Sequence, residues 1–233
     1  MGYTKAECVV LPIAFLIMLL FSLLLRVLLL NKGEKIKRIP FLVVTILMVG
    51  GEIAKQIRGI IVGYDLWWIP LHFCSTFFLW FSLAEFSKGE IAKRMKSVAF
   101  LASFCVVVAI YLSPRSIIGS ACEHILSDFL TAHSFFFHQL IIFYFLLSLA
   151  LNRVKIQKKD VLYWTICMSS YFLIALVSAY ALDTNYFSIR YFPLEVIDSF
   201  RIVYGQAWYN FIQALVLILL PMSIIFLFGK ENK

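Results

Sequence analysis

The sequence predicts an all-α, polytopic membrane protein with seven transmembrane helices in a single domain over residues 1–233. Two observations lead to this fold class. Of the 233 residues, 62% are hydrophobic and only 15% are charged, a composition that cannot give a water-soluble domain its polar surface. Apolar runs bounded by charged residues also recur along the chain, and about 20 apolar residues suffice to cross a bilayer.

Seven apolar runs are predicted as spanning helices, and together they leave no room for a large soluble domain. Charged residues are rare inside these runs. The second run is the exception, because it carries Glu52, Lys55 and Arg58. The predicted spans cover residues 9–30, 40–62, 68–86, 97–112, 134–151, 161–182 and 206–228.

The formal net charge of +8 comes largely from basic residues on alternate connections. The positive-inside rule therefore predicts that the N-terminus is outside and the C-terminus inside. Topology signals of this kind account for the positive charge, so the sequence does not predict a nucleic-acid partner. The five cysteines show no metal-binding spacing, and neither a metal nor another cofactor is predicted. The basic clusters are Lys32, Lys35, Lys37 and Arg38, then Lys88, Lys93, Arg94 and Lys96, then Arg153, Lys155, Lys158 and Lys159.

Two connections on the predicted outer side have patterns of their own. Residues 115–131 place apolar and polar side chains on opposite sides at helical spacing, which predicts an amphipathic interfacial helix between spans four and five. Residues 183–205 are aromatic and mixed in charge, and they are predicted to cover the outer face.

The unusual polar residues of the spans all fall in the predicted outer half of the membrane. Such residues are costly in hydrocarbon, so they are expected to face a cavity or to pair with one another. Purely structural roles stay open, because Glu52 and Lys55 could form an intrahelical ion pair and Asn210 and Gln213 could join helices. The candidate substrate-binding residues are Glu52, Lys55, Gln56, Arg58, His133, Asn185, Asn210 and Gln213, and the candidate catalytic residues are His72, Cys74 and His138.

Helix geometry restricts the partners that Cys74 could have. Pro70 suits the first turn of a helix, so His72 and Cys74 are predicted to be helical and to point in roughly opposite directions. A base for the Cys74 thiol should then come from another span, and His138 lies at a similar predicted depth. His72 could instead orient a substrate or stabilise an oxyanion.

Several segments together resemble a known family. They are "LMVGGEIAKQIRG", "IPLHFCS", "FFFHQL", "DTNYF" and "GQAWYNFIQAL", in this order. The chain resembles the YwaF-like bacterial membrane proteins and their eukaryotic relatives, the transmembrane protein 164 family. The resemblance implies an acyltransferase that acts on phospholipids, with Cys74 as the nucleophile and His138 as its partner. The chain departs from the pattern at Ala207, where a proline is expected, and His133 leaves the choice of histidine open.

These considerations predict a multi-pass protein of the cell membrane, in a bacterial plasma membrane, whose partners are membrane phospholipids. The predicted function is acyl transfer from a phospholipid through a Cys-His nucleophile in an outward-facing cavity. A zinc hydrolase of the ceramidase type is disfavoured because the last span contains no histidine. The alternative is a small-molecule or proton-coupled carrier or sensor that uses the Glu52–Lys55 pair.

Overall fold

The computed structural model describes residues 3–230 and consists of nine α-helices in this part of the chain. Three short 3₁₀ turns, Leu66–Trp68, Cys74–Thr76 and Tyr186–Ser188, lie between them. The prediction of a single domain over residues 1–233 stays a prediction, and residues 1, 2 and 231–233 lie outside the described part. The helices are α1 (Lys5–Leu29), α2 (Glu34–Val62), α3 (Phe77–Phe86), α4 (Gly89–Leu112), α5 (Pro114–Ile118), α6 (Phe129–Ala150), α7 (Asp160–Ala181), α8 (Glu195–Tyr204) and α9 (Gln206–Phe228).

Five of these helices are long and apolar enough to cross a membrane: α1, α4, α6, α7 and α9. Their exposed surface is made of large apolar side chains such as Leu16, Leu20 and Val27, which a soluble monomer would not leave in contact with water. The chain is therefore a multi-pass membrane protein. The predicted number of seven spans and their orientation are not confirmed, because α2 is long but carries charges and α3 is short.

The chain divides into two compact units. The first unit contains the chain up to Lys55 together with Phe77–Val154. In it α6 packs against α1 and α4, and α4 packs against α3. Aromatic rings fill its core, since Tyr144 of α6 stacks on Phe81 at 3.8 Å and meets the edge of Phe41 at 5.2 Å.

The second unit contains Gln56–Thr76 and the chain from residue 155 onward. Helix α9 packs against α7 and α8, and the buried indole of Trp164 on α7 donates a hydrogen bond to the Ile218 carbonyl at 3.2 Å. Satisfying the indole N–H inside the packed helix pair avoids the cost of an unpaired donor in an apolar setting.

Two predicted helices differ from the observed ones for local reasons. The interfacial helix predicted over 115–131 is observed only as α5, which ends before Gly119. Gly119 has φ of 59°, a left-handed conformation that stops a helix, and turns follow until Asp128 caps α6 by accepting a hydrogen bond from the Thr131 backbone. Span three was predicted over 68–86, but α3 begins only at Phe77.

The late start of α3 follows from the backbone around Pro70. Ile69 before the proline is extended, at φ −56° and ψ 134°, as the proline ring requires of the preceding residue. The next backbone bonds close turns, from Leu71 to the Ile69 carbonyl at 2.7 Å and from Thr76 to the Phe73 carbonyl at 3.2 Å. The prediction that His72 and Cys74 lie in an α-helix was therefore wrong.

An amphipathic helix is found instead in the predicted cover. Helix α8 exposes Val196 and Val203, which lie on one face, whereas Asp198 and Arg201 lie on another and pair at 2.7 Å. The sequence predicts only a cover over residues 183–205 and no helix within it, because the helical pattern is confined to ten residues.

Asp198 predicts how the cover responds to acid. Its carboxylate accepts hydrogen bonds from Arg201 and from the Phe192 backbone, which lower its pKa to about 2. A carboxyl whose pKa is lowered by folding stabilises the fold above its unfolded pKa, so this contribution should fade as the pH falls from about 4 towards 2. Hydrogen-exchange protection of the Phe192 amide should decrease over this window.

The matched controls for this prediction are Asp198→Asn and Glu195→Gln. Asp198→Asn should lower the protection of Phe192 already at neutral pH and remove its dependence on acid. Glu195→Gln removes the same charge from an exposed position on the same helix and should leave the wild-type profile unchanged. An Asp198→Asn protein with the wild-type pH profile would contradict the prediction.

Candidate catalytic site

His138 is a buried histidine on α6 whose protonation pattern is set by its own helix. Its side chain is 5% exposed, and its Nδ1 lies 2.6 Å from the Ser134 carbonyl oxygen. A carbonyl oxygen can only accept, so Nδ1 carries the proton and neutral His138 presents an unprotonated Nε2. This Nε2 is buried and has no hydrogen-bond partner among residues 3–230. His138 thus has the form that a general base requires.

A second group of polar side chains of the first unit lies around His133, five residues before His138 on α6. The His133 ring lies against the Gly51 backbone of α2, where an added Cβ would lie 3.7 Å from the ring. His133 also interacts electrostatically with Lys55 and His138. The structure therefore brings together four of the predicted residues: Glu52, Lys55, His133 and His138.

The Glu52–Lys55 pair is nearly removed from solvent. Their side chains are 5% and 9% exposed, and Lys55 Nζ lies 2.8 Å from Glu52 Oε1. The intrahelical ion pair considered at the sequence level is thus present. A buried pair holds two charges that neither partner could bear alone in this setting, so both residues are needed for the local structure.

Removing one partner of this pair should be costly. Lys55→Met leaves the Glu52 carboxylate without its cation, and we expect the unfolding free energy to fall by about 3–5 kcal/mol. Reversible unfolding in mixed detergent would measure this loss. The control is Lys93→Met, whose exposed pair with Glu90 at 3.8 Å contributes at most about 1 kcal/mol. Equal losses for the two variants would contradict the prediction.

Gln139 is a residue that the sequence analysis missed. Its side chain is 3% exposed, and neither its amide nitrogen nor its carbonyl oxygen has a hydrogen-bond partner within residues 3–230. Burying an unpaired amide costs free energy, so Gln139 is a candidate for contact with another polar group. The signal was the single glutamine in the apolar run "FFFHQL".

Cys74 lies in the second unit, at the start of the 3₁₀ turn that precedes α3. The hydroxyl of the buried Tyr171 donates to the Leu71 carbonyl at 3.1 Å, and its ring centroid lies 5.5 Å from that of Phe73. Tyr171 also interacts electrostatically with Cys74. An apolar and aromatic setting disfavours a thiolate, so Cys74 needs an adjacent base to become a nucleophile.

His72 lies between two aromatic rings of the second unit. Its ring centroid is 4.1 Å from that of Trp67 and 5.3 Å from that of Tyr186, and the Tyr186 hydroxyl donates to the Leu66 carbonyl. These contacts hold the imidazole in place and connect the turn at residues 66–72 to the loop that follows α7.

The polar residues at the end of α2 have different environments. Gln56 donates to the Trp68 carbonyl at 2.8 Å and accepts from the Tyr64 hydroxyl, so its amide supports the turn. Arg58 is exposed. Gly59 is required by the same packing, because a Cβ at this position would lie only 2.9 Å from the Trp68 ring.

The polar stripe of α9 holds the loop after α7. Gln206, Tyr209 and Gln213 donate to the carbonyls of three consecutive residues, Ile189, Ser188 and Phe187, at 2.5–2.6 Å. Asn210 donates to the Tyr180 hydroxyl at 3.3 Å. These contacts fit the structural role that the sequence left open for Asn210 and Gln213, whereas Gln206 and Tyr209 were not among the candidate residues.

Asn185 is used within the same loop. Its amide donates to the Tyr191 carbonyl at 2.9 Å, and its side-chain oxygen accepts from the Arg190 backbone at 2.8 Å. The side chain is 6% exposed. These bonds stabilise the loop, so Asn185 has a structural role. Its role in binding substrate stays a prediction.

The loop holds strained backbone next to the Cys74 turn. Phe187 and Ser188 have φ of 50° and 55°, which residues with a Cβ adopt uncommonly. The Phe187 ring packs on Phe73 at 5.7 Å and on Tyr171 at 5.4 Å. Backbone held in such conformations concentrates at functional sites, since the surroundings must maintain it.

An open groove of about 720 Å³ lies between α7 and α9. Apolar side chains such as Phe172 and Leu176 form most of its wall, and Gln206 and Asn210 line its polar part. Such a surface suits a ligand with a long apolar portion and one polar group.

The predicted site residues are therefore divided between the units. Glu52, Lys55, His133 and His138 belong to the first, whereas His72, Cys74, Gln56, Arg58, Asn185, Asn210 and Gln213 belong to the second. The pairing of Cys74 with His138 joins one residue from each unit and stays a prediction. Within residues 3–230, no group of three or more His, Cys, Asp or Glu side chains could hold a metal ion.

Comparison with known proteins gives one family. The family model described as the TMEM164 family matches residues 2–227, which is nearly the whole chain. No curated protein and no solved structure matches the chain.

Proposed function

Since the chain belongs to the TMEM164 family, we propose that it is a membrane-embedded lipid-modifying enzyme that transfers an acyl group from a phospholipid through Cys74. His138 is the proposed base, and its environment is the observation that carries the proposal. A histidine whose Nδ1 is bonded to a carbonyl 2.6 Å away and whose buried Nε2 is unpartnered is ready to accept a proton.

The proposed reaction has two steps. In the first, Nε2 of His138 takes the proton of the Cys74 thiol, and the sulfur attacks the acyl carbonyl carbon of the phospholipid. The ester C–O bond breaks, the lysophospholipid leaves with the proton from His138, and an acyl-thioester remains on Cys74. In the second, His138 takes a proton from a lipid hydroxyl or from water, and the oxygen attacks the thioester carbonyl carbon. The C–S bond breaks, the new ester or the free fatty acid leaves, and His138 returns the proton to the Cys74 sulfur.

The surroundings of Cys74 support a lipid substrate. Phe73 and Tyr171 pack against each other at this turn, and such an apolar setting would favour transfer to a lipid hydroxyl over hydrolysis. The groove between α7 and α9 has the dimensions and apolar wall to hold acyl chains. In this scheme Lys55, Gln56 and the exposed Arg58 bind the head-group phosphate, and Gln139 is a further donor for the substrate.

The proposal extends to location and orientation. An outward-facing site would not meet cytosolic acyl-CoA, so a phospholipid of the outer leaflet is the donor. We place the protein in a bacterial plasma membrane, within the YwaF-like branch that its motifs resemble.

A covalent adduct tests the proposal. The purified protein in lipid nanodiscs is treated with a phospholipid that carries an activated acyl ester, and peptide mass spectrometry then locates the acyl group. We expect a hydroxylamine-sensitive thioester on Cys74 and none on Cys105, a partly buried thiol on α4 that serves as an internal control. Equal labelling of the two thiols, or an adduct that His138→Asn leaves unchanged, would count against the mechanism.

A proton-coupled carrier is the second candidate, and one observation favours it. The Glu52–Lys55 pair is buried and lies on α2 beside His133, which gives three neighbouring titratable groups within the first unit. Proton flux into liposomes that disappears in Glu52→Gln but persists in Cys74→Ala would support this candidate over the enzyme.

A further inference from the structure

A buried carboxylate at the end of α3 is surrounded by basic side chains of the first unit. The Glu85 side chain is fully buried, and its Oε2 lies 2.7 Å from Arg153 Nη2 and 3.5 Å from Arg38 Nε. The Tyr144 hydroxyl donates to Oε1 at 3.1 Å. Arg38 also donates to the Glu85 backbone carbonyl. This cluster, which we call the Glu85 cluster, shares no residue with the candidate catalytic site.

The charges of the Glu85 cluster do not balance. Lys96 of α4 interacts electrostatically with Arg38, Glu85 and Arg153, but it forms no ion pair with a carboxylate within residues 3–230. Two guanidinium groups thus pair with one buried carboxylate, and the Lys96 ammonium interacts with all three groups without pairing to the carboxylate. The other carboxylate that acts on Lys96 is that of Glu34, which is exposed and pairs with Lys37 at 3.3 Å. An excess of positive charge in a partly buried place attracts an anion.

The Arg153 guanidinium has the environment of an anion-binding group. It lies 3.7 Å from the centre of the Phe41 ring, and its side chain is only 12% exposed. Nη2 is bonded to Glu85, whereas Nη1 is buried and has no hydrogen-bond partner in the described chain. A stacked guanidinium with one free edge suits a phosphate oxygen. Arg38 is 43% exposed, so the cluster reaches the surface there.

Two simpler explanations leave part of this arrangement unexplained. A purely structural link between α2, α3 and the end of α6 would explain the Glu85–Arg153 bond. It would not explain the additional charge of Lys96 or the unpartnered Nη1 of Arg153. Basic residues that serve only as topology signals remain solvated, as Lys93 does with its side chain 73% exposed. Arg153 is instead buried against an aromatic ring.

We propose that Arg38, Lys96 and Arg153 bind the phosphate group of an anionic ligand. By the positive-inside rule this site faces the cytoplasmic leaflet, where the phosphate belongs either to the head group of an anionic phospholipid or to a small soluble phosphate compound. Glu85 holds the two guanidinium groups in position, and Lys96 supplies the charge that the carboxylate does not neutralise. The site is independent of the chemistry proposed for Cys74.

The test compares anion binding by the full chain and by two lysine variants. In one arm, the unfolding temperature is measured in nanodiscs of phosphatidylcholine with and without phosphatidylglycerol. In the other arm, inorganic phosphate is added to the protein in neutral detergent, with chloride at equal ionic strength. Lys96→Gln removes a cation of the site, and Lys93→Gln removes one from the exposed side of the same helix.

We expect an anion-dependent rise in the unfolding temperature of the wild type and of Lys93→Gln. Loss of one charged hydrogen bond should weaken the affinity of Lys96→Gln about tenfold. A rise in the phosphatidylglycerol arm alone identifies a lipid head group, and a rise with inorganic phosphate identifies a soluble phosphate. Either result supports the site.

The absence of an anion effect in both arms would overturn the proposal, as would equal losses in Lys96→Gln and Lys93→Gln. If Lys96→Gln does not fold, Arg38→Gln replaces it, because Arg38 is the more exposed of the two arginines. A folded Arg38→Gln protein with wild-type anion binding would likewise overturn the proposal.

Discussion

Cys74→Ala is expected to reduce phospholipid acyl turnover by about a thousandfold or more, because it removes the atom that is proposed to form the acyl-thioester. The measurement is the release of lysophospholipid and the appearance of the transferred acyl chain, followed with an isotopically labelled phospholipid in nanodiscs. Cys74→Ala removes only the sulfur from a turn whose packing depends on Phe73 and Tyr171, so the protein should still fold.

Two controls separate chemistry from structure in this experiment. Cys105→Ala and Cys167→Ala remove thiols from α4 and α7, and we expect turnover within about twofold of the wild type because neither takes part in the proposed reaction. Retention of more than about a tenth of the activity by a folded Cys74→Ala protein would exclude a covalent role for this residue and leave the carrier as the better explanation.

His138→Asn is expected to lower the turnover by about 10²–10⁴-fold, the usual contribution of a general base. Asparagine places an amide nitrogen near the position of Nδ1, so the donor to the Ser134 carbonyl is kept while Nε2 is removed. The second readout is the labelling of Cys74 by a small thiol reagent over a range of pH. Without the base, labelling should shift to higher pH.

The other histidines make this prediction specific. His124 lies in the turns before α6, and His124→Asn should leave both readouts unchanged. His133→Asn distinguishes the two candidate bases, because it should preserve the pH profile of Cys74 labelling if His138 is the base. A shift of the profile in His133→Asn and not in His138→Asn would assign the base to His133 instead.

The regular parts of the fold were predictable because hydrophobic length and charge position determine them. A run such as residues 206–228 contains no charged residue and coincides with α9. Glu52 and Lys55 lie three residues apart on one helix and so share a face, which is why their ion pair was among the alternatives that the sequence left open.

The turn that carries Cys74 could not be predicted in the same way. Pro70 fits either the first turn of a helix or the end of an extended segment, and only contacts far along the chain decide between them. The hydroxyls of Tyr171 and Tyr186 bond to the carbonyls of Leu71 and Leu66, about 100 residues away, and these bonds satisfy a backbone that is not helical. Local propensity holds no information about such partners.

The sequence identified polar candidate residues by their type and spacing, but it could not predict the hydrogen bonds that they form. The spacing of Gln206, Asn210 and Gln213 places their side chains in one stripe on α9. The amides of Gln206 and Gln213 nevertheless donate to the Ile189 and Phe187 carbonyls of the strained loop, and Asn210 donates to the Tyr180 hydroxyl. Gln139 was missed for the opposite reason. A single amide in an apolar run resembles a tolerated core residue until its lack of partners is known.

The bond between His138 and the Ser134 carbonyl has a consequence for how this protein family can diverge. In many enzymes a separate acidic side chain fixes the tautomer of the catalytic histidine, and that residue must be preserved with it. Here the backbone carbonyl of residue 134 on α6 fixes the tautomer, and this carbonyl is present whatever side chain stands at position 134. Neighbouring side chains can therefore change without loss of the proton acceptor. A relative that lacks an acidic residue near this histidine should not be classed as inactive on that ground.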